Sequence, residues 1–131
     1  PYAGQSRKNP SRDVGRPKLG RDAIAKRSLE FLEELSGKQT SVSDLAAASD
    51  VSERTLRNAF QEYFGLGPSR YLQLRQLHEV HRALRSADPD ESTVAQILAD
   101  RGVWSFGRCA ARYLKLFGEL PSKTLARRSK S

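Results

Sequence analysis

Residues 45–77 read LAAASDVSERTLRNAFQEYFGLGPSRYLQLRQL, a run of helical patterns broken at two points. A short apolar run with Leu45 and Ala46 on its inner side ends at Asp50–Val51, where a tight turn fits. Ser52 follows as a favourable N-cap, since its hydroxyl can accept from a free N–H of the first helical turn. Behind it Leu56, Ala59, Phe60, Tyr63 and Phe64 recur at helical spacing, which predicts a helix to Phe64 with these five inward. Gly65 stops that helix in the manner of a glycine just past a helix end. Pro68 suits the first turn of a longer helix over 68–86, with Tyr71, Leu74, Leu77, Val80 and Leu84 apolar.

The pattern then occurs a second time. Ser52 matches Ser105, Phe60 matches Tyr113, Phe64 matches Phe117, Gly65 matches Gly118, Pro68 matches Pro121 and Leu72 matches Leu125, all at an offset of 53. The short helices ahead of these correspond at an offset of 52, with Val42 against Val94 and Leu45 against Ile97. The second copy therefore carries one extra residue in its turn, near Trp104. A short helix, a tight turn and a second helix, present twice, is a duplicated helix-turn-helix unit. Two such units joined by the 68–86 helix are expected to enter successive major grooves of B-DNA. The joining helix has 19 residues, about 28 Å at about 1.5 Å per residue, against about 34 Å for one turn of DNA.

The remainder is helical as well. Ile24, Ser28, Phe31, Leu32 and Leu35 share one face of a helix that opens at Asp22 and ends at Gly37. Ser92 is expected to cap a helix over 93–101 that Gly102 breaks. Ser105 opens the helix to Phe117, and Pro121 begins a last one to Arg128. No segment alternates with period two, so the fold class is all-α, with seven helices in two homeodomain-like helix-turn-helix subdomains. The first unit spans 42–64, the joining helix 68–86 and the second unit 93–117, within a domain of residues 22–131.

The 131 residues carry a formal net charge of +8, unevenly placed. Residues 1–21 hold six basic side chains against Asp13, and residues 119–131 hold Lys123, Arg127, Arg128 and Lys130 against Glu119. Between them acids and bases balance, so overall charge alone says only that both ends are basic. Residues 1–21 lack apolar periodicity and read as a basic flexible arm. Within them Gly15–Arg16–Pro17–Lys18 resembles a minor-groove hook core, although a plain linker has the same composition. One cysteine excludes a disulfide framework or a paired-cysteine zinc site. No apolar run approaches the roughly 18–20 residues of a membrane span, and no secretory signal is visible. A cytoplasmic, nucleoid-associated location is expected. The chain begins at Pro1 without an initiator Met, so it reads as a piece of a longer protein.

The helix 52–64 presents Arg54, Arg57, Asn58 and Gln61 on the stripe opposite its apolar face. Arg can bond guanine through two hydrogen bonds, and Asn or Gln can do the same for adenine. An ordinary solvated face would look similar, but the repeated unit favours base reading. In the second helix the equivalent positions are Gly107, Ala110, Ala111 and Leu114, which at most touch thymine methyls. That helix instead carries Arg108, Arg112 and Lys115 and no acid, on a stripe rotated towards phosphates. An asymmetric module follows, with the first unit reading bases and the second mainly holding backbone. Ser52, Thr55, Ser69, Arg70, Ser105, Ser122 and Lys123 lie at or near helix starts, where free N–H groups favour phosphate. Trp104 and Phe106 are expected to pack on neighbouring helices. Phe106 is nevertheless kept as a base-contact candidate, since either ring could stack on or insert into a partner.

His78 and His81 stand at i, i+3 with no further histidine, so a structural role is expected and no metal. Cys109 occupies the place of Leu56 and reads as a small core residue. No catalytic constellation and no cofactor motif is recognisable.

The stretch 45–77 and the second copy, ILADRGVWSFGRCAARYLKLFGELPSKTL over 97–125, resemble the DNA-binding domain of the AraC/XylS family of bacterial transcription regulators. The likeness covers about residues 22–128, with both motifs in order and F-G-x-x-P closing the second unit. The family usually has Phe at the place of Cys109, Arg at Ala111 and Arg at Gln76. The resemblance implies promoter DNA as partner, base contacts from Arg54, Arg57 and Asn58, activation through RNA polymerase, and a separate effector-sensing or dimerisation domain that is not in this chain. Two other readings compete. One is a helical protein-interaction module, such as one docking RNA polymerase, with only non-specific DNA affinity. The other is a DNA-repair fusion, which requires a reactive, exposed Cys109.

Overall fold

The structure, a computed structural model, describes residues 20–36 and 38–128. Seven α-helices and no strand occur among them: α1 (Arg21–Glu34), α2 (Val42–Ala48), α3 (Glu53–Phe64), α4 (Pro68–Ser86), α5 (Val94–Asp100), α6 (Phe106–Phe117) and α7 (Pro121–Arg128). The expected end of the first helix at Gly37, and the basic arm as far as residue 19 with its hook motif, lie outside the described residues.

The chain divides into two compact units. The first holds α1, α2 and α3. Ile24, Ala25 and Leu32 from α1, Leu45 and Ala46 from α2, and Leu56, Ala59 and Phe60 from α3 form its buried interior. Ser28 sits among them without an orphaned hydroxyl, because its Oγ donates to the Ile24 carbonyl at 2.9 Å and lies 2.9 Å from Ser49 Oγ. The expected inward face of α3 needs one correction. Tyr63 is 55% exposed, since the interior is filled by Leu56, Ala59 and Phe60 on the turns before it.

The second unit comprises Leu35–Thr40 and Ser69 onward. Its core joins Leu77, Val80 and Leu84 of α4 to Ile97 and Leu98 of α5, Val103 of the turn, Cys109 and Tyr113 of α6, and Leu125 of α7. Ser92 does not cap α5. Thr93 does, in a reciprocal capping box with Gln96, and a box supplies two bonds where a lone serine supplies one.

The two turns show the duplication at the level of the backbone. Val51 N–H reaches the Ala46 carbonyl at 3.1 Å, and Val103 N–H reaches the Leu98 carbonyl at 2.9 Å. The residue before each is left-handed, Asp50 with φ 58° and Gly102 with φ 78°. Asp is one of the few non-glycine residues that accept this conformation. After Val51 the chain enters Ser52 directly. After Val103 it must first pass Trp104, which is the extra residue. Gly65 and Gly118 close α3 and α6 with φ 78° and 79°, each N–H bonded to the carbonyl four residues back.

Candidate nucleic-acid interface

Burial of Leu56, Ala59 and Phe60 sets the rotation of α3 about its axis. Arg54, Arg57 and Asn58 are therefore exposed together on the opposite side, and their side chains make no ion pair or hydrogen bond with described residues. Gln61 is exposed on the same stripe, but its Nε2 donates to the Gly65 carbonyl at 3.2 Å. Ser52 is held at the start of the helix. Its Oγ accepts from the Thr55 N–H at 3.1 Å and donates to Thr55 Oγ1 at 3.0 Å. Glu62, on the flank of this stripe, forms an exposed ion pair with Arg21 of α1, a contact that the helical pattern alone did not signal.

In α6 the buried Cys109 and Tyr113 play the part of Leu56 and Phe60. Gly107, Ala111 and Leu114 are exposed on the opposite face and Ala110 is half-buried there. Arg108, Arg112 and Lys115 are all exposed, and no ion pair ties them to any described residue. Lys115 stands where α3 has Glu62, so the flank that is neutralised on α3 is cationic on α6. Ser105 occupies the N-cap position, but its hydroxyl makes no capping bond. At the starts of α4 and α7, Ser69, Arg70, Ser122 and Lys123 are exposed, Arg70 being bonded to Gln73 one turn on.

Trp104 and Phe106 are not packed on neighbouring helices as expected. Trp104 is 80% exposed and Phe106 40%. Trp104 is the residue without a counterpart in the first copy, and Phe106 stands where α3 has the exposed Glu53.

The remaining polar candidates make ring and core contacts. His78 meets the edge of Phe117 at 5.3 Å, and His81 stacks on the same ring. No group of three or more metal-ligating side chains occurs among the described residues. Cys109 is buried, and burial pushes its thiol pKa up, with the Arg112 charge opposing. The reactive, exposed thiol that a repair chemistry needs is thus not presented. No helix among the described residues is long and apolar enough to cross a membrane.

Comparison with known proteins agrees with this fold. A family model described as a helix-turn-helix domain matches residues 45–127. A XylDLEGF operon transcriptional activator of Pseudomonas putida is 33% identical over 99 residues, covering 76% of this chain and 31% of its own length. The chain thus spans about a third of that relative. The crystal structure of a probable AraC family transcriptional regulator from Rhodopseudomonas palustris superposes with a TM-score of 0.70 at 29% identity, over 82% of this chain and 97% of that one. The DNA-binding domain of AdpA, solved in complex with a target DNA, shares the fold with a TM-score of 0.66 at 24% identity, over 82% and 95%.

Proposed function

The chain belongs to the AraC/XylS family of helix-turn-helix domains, and from that membership we propose that residues 22–131 are the sequence-specific, double-stranded-DNA-binding domain of a bacterial transcription activator. The observation that carries this reading is the triplet Arg54, Arg57 and Asn58, exposed together and without partners on the face of α3 that its buried side fixes. Side chains with this many donors in fixed geometry match base edges in the major groove. Arg108, Arg112, Lys115 and Lys123 are the phosphate contacts, helped by Arg70 and by the hydroxyls of Ser69, Ser105 and Ser122 near helix starts. Ser52 gives its hydroxyl proton to Thr55 Oγ1 and accepts the Thr55 N–H, so the Thr55 hydroxyl proton and the backbone N–H groups of Glu53 and Arg54 are the donors left for phosphate. Gln61 uses one Nε2 proton on the Gly65 carbonyl and keeps its Oε1 and second proton for a base, and Phe106 makes an apolar contact.

Each unit presents its second helix, α3 or α6, to a major groove. RNA polymerase is the second partner, an effector-sensing domain belongs to the full-length protein, and the site of action is the bacterial cytoplasm. Selection of bound duplexes from a random pool, followed by mobility-shift titration against competitor, tests the reading. A two-part site is expected, one part for each unit. Insertion of half a turn between the halves should abolish the joint contribution. Absence of any sequence preference would leave a protein-interaction module as the better account.

A further inference from the structure

The outward face of α6 lacks the paired donors and acceptors of α3, yet it is exposed as a contact surface would be. Leu114 is 46% exposed and Phe106, the first residue of the helix, 40%. Ala111 lies open between them and the cationic edge, and a Cβ added at Gly107 would meet nothing within 4 Å. Arg108 and Lys115 border this apolar ground, Arg112 stands beyond them, and the helix holds no acid. An apolar floor beside a row of free cations complements an apolar group set between anionic rails. The major groove offers that arrangement at thymine, whose C5 methyl is the apolar feature among the base edges.

Resting on the DNA-binding reading above, we propose that α6 recognises thymine methyl groups by contact, with Leu114 and Ala111 as its specificity-determining side chains. Arg108 and Lys115 hold the adjoining phosphates. The absence of a side chain at Gly107 lets the helix lie closer to the bases than α3 can. The second unit then does more than grip the backbone. It selects thymine without a single hydrogen bond to a base edge.

Deoxyuridine provides the test, because it lacks the methyl and keeps every hydrogen-bonding group of thymidine. In duplexes selected by this chain, thymines are replaced by deoxyuridine one at a time and each affinity is measured. Loss of one buried methyl should weaken binding about fourfold. Leu114→Ala should bind the thymine and uracil duplexes equally at the position that Leu114 covers, whereas Arg57→Ala should keep the wild-type ratio there. Leu114 is half exposed, so the variant retains the core. Selected sites without thymine in the second half, or the same thymine-to-uracil ratio for wild type and Leu114→Ala, overturn the proposal. If the chain still selects a site while ignoring every uracil, DNA binding stands and the apolar face belongs to a protein partner. If it selects no site, both readings fall.

Discussion

His81 and Phe117 lie ring over ring, with centroids 4.1 Å apart and planes within 7° of parallel. The same imidazole has its Nδ1 2.9 Å from the Tyr113 hydroxyl. That hydroxyl donates to Thr124 Oγ1 at 2.8 Å, and Thr124 donates to the Glu119 carboxylate at 2.5 Å. With its own proton directed at Thr124, the tyrosine oxygen accepts from His81, which places the proton of a neutral imidazole on Nδ1. Arg127 completes the chain as the ion-pair partner of Glu119.

This arrangement makes stability depend on pH. Burial lowers the pKa of His81 from its ordinary 6.5, Arg85 and His78 add to the effect, and Glu119 opposes it. The unfolded chain then binds a proton more readily than the folded one, so the contribution of His81 is complete above pH 6.5 and declines as pH falls below it. Wild-type protein should melt at a lower temperature near pH 5 than near pH 7.5. His81→Phe keeps a ring on Phe117 and removes the titrating group, so its melting temperature should change less over the same range. Equal slopes for the two proteins in thermal melts would assign the dependence to other groups.

Ser52 and Ser105 occupy equivalent N-cap positions with unequal bonds. Ser52 Oγ caps α3 through the Thr55 N–H, and Ser105 has no capping bond. Ser52→Ala should cost about 1 kcal/mol, the usual value of a lost cap. Ser105→Ala should leave folding unchanged. Denaturant midpoints of the two variants check this, and equal losses would contradict the difference in cap geometry.

Much of this was legible in the sequence because both copies use the same local devices. A left-handed residue precedes each valine, a serine precedes each second helix, and a glycine ends it. Such features are set by a few neighbouring residues, so a repeat displays them. Tertiary partners are set otherwise. Phe60 and Tyr113 hold equivalent, fully buried places, but the tyrosine hydroxyl finds its acceptor on Thr124, whose counterpart in the first copy is Tyr71. The Arg21–Glu62 pair likewise spans 41 residues. Trp104 was recognisable as the inserted residue, while its exposure follows from packing around it that the pattern does not encode.

Cys109 should be inert in the native protein. Burial excludes reagent and raises the thiol pKa, which keeps the reactive thiolate scarce at neutral pH. Labelling with a chromogenic disulfide should be slow without denaturant and rapid with it. Complete labelling of the native chain within seconds would restore the repair reading.

Arg57 and Arg112 should separate base reading from backbone binding. Both are exposed and neither has an ion-pair partner among the described residues, so simple loss of charge predicts the same effect for each. The helices that bear them predict different ones. Arg57 stands between Arg54 and Asn58 on the reading stripe of α3, and Arg57→Ala should cost about 1–3 kcal/mol on the selected site and relax preference at one base pair. Arg112 lies beyond the outward face of α6, and Arg112→Ala should weaken binding to all duplexes alike while reducing the salt slope by about one. Mobility-shift titrations at several salt concentrations distinguish the two outcomes. Parallel losses on cognate and random DNA for both variants would mean that α3 holds phosphates as well, and that specificity arises elsewhere.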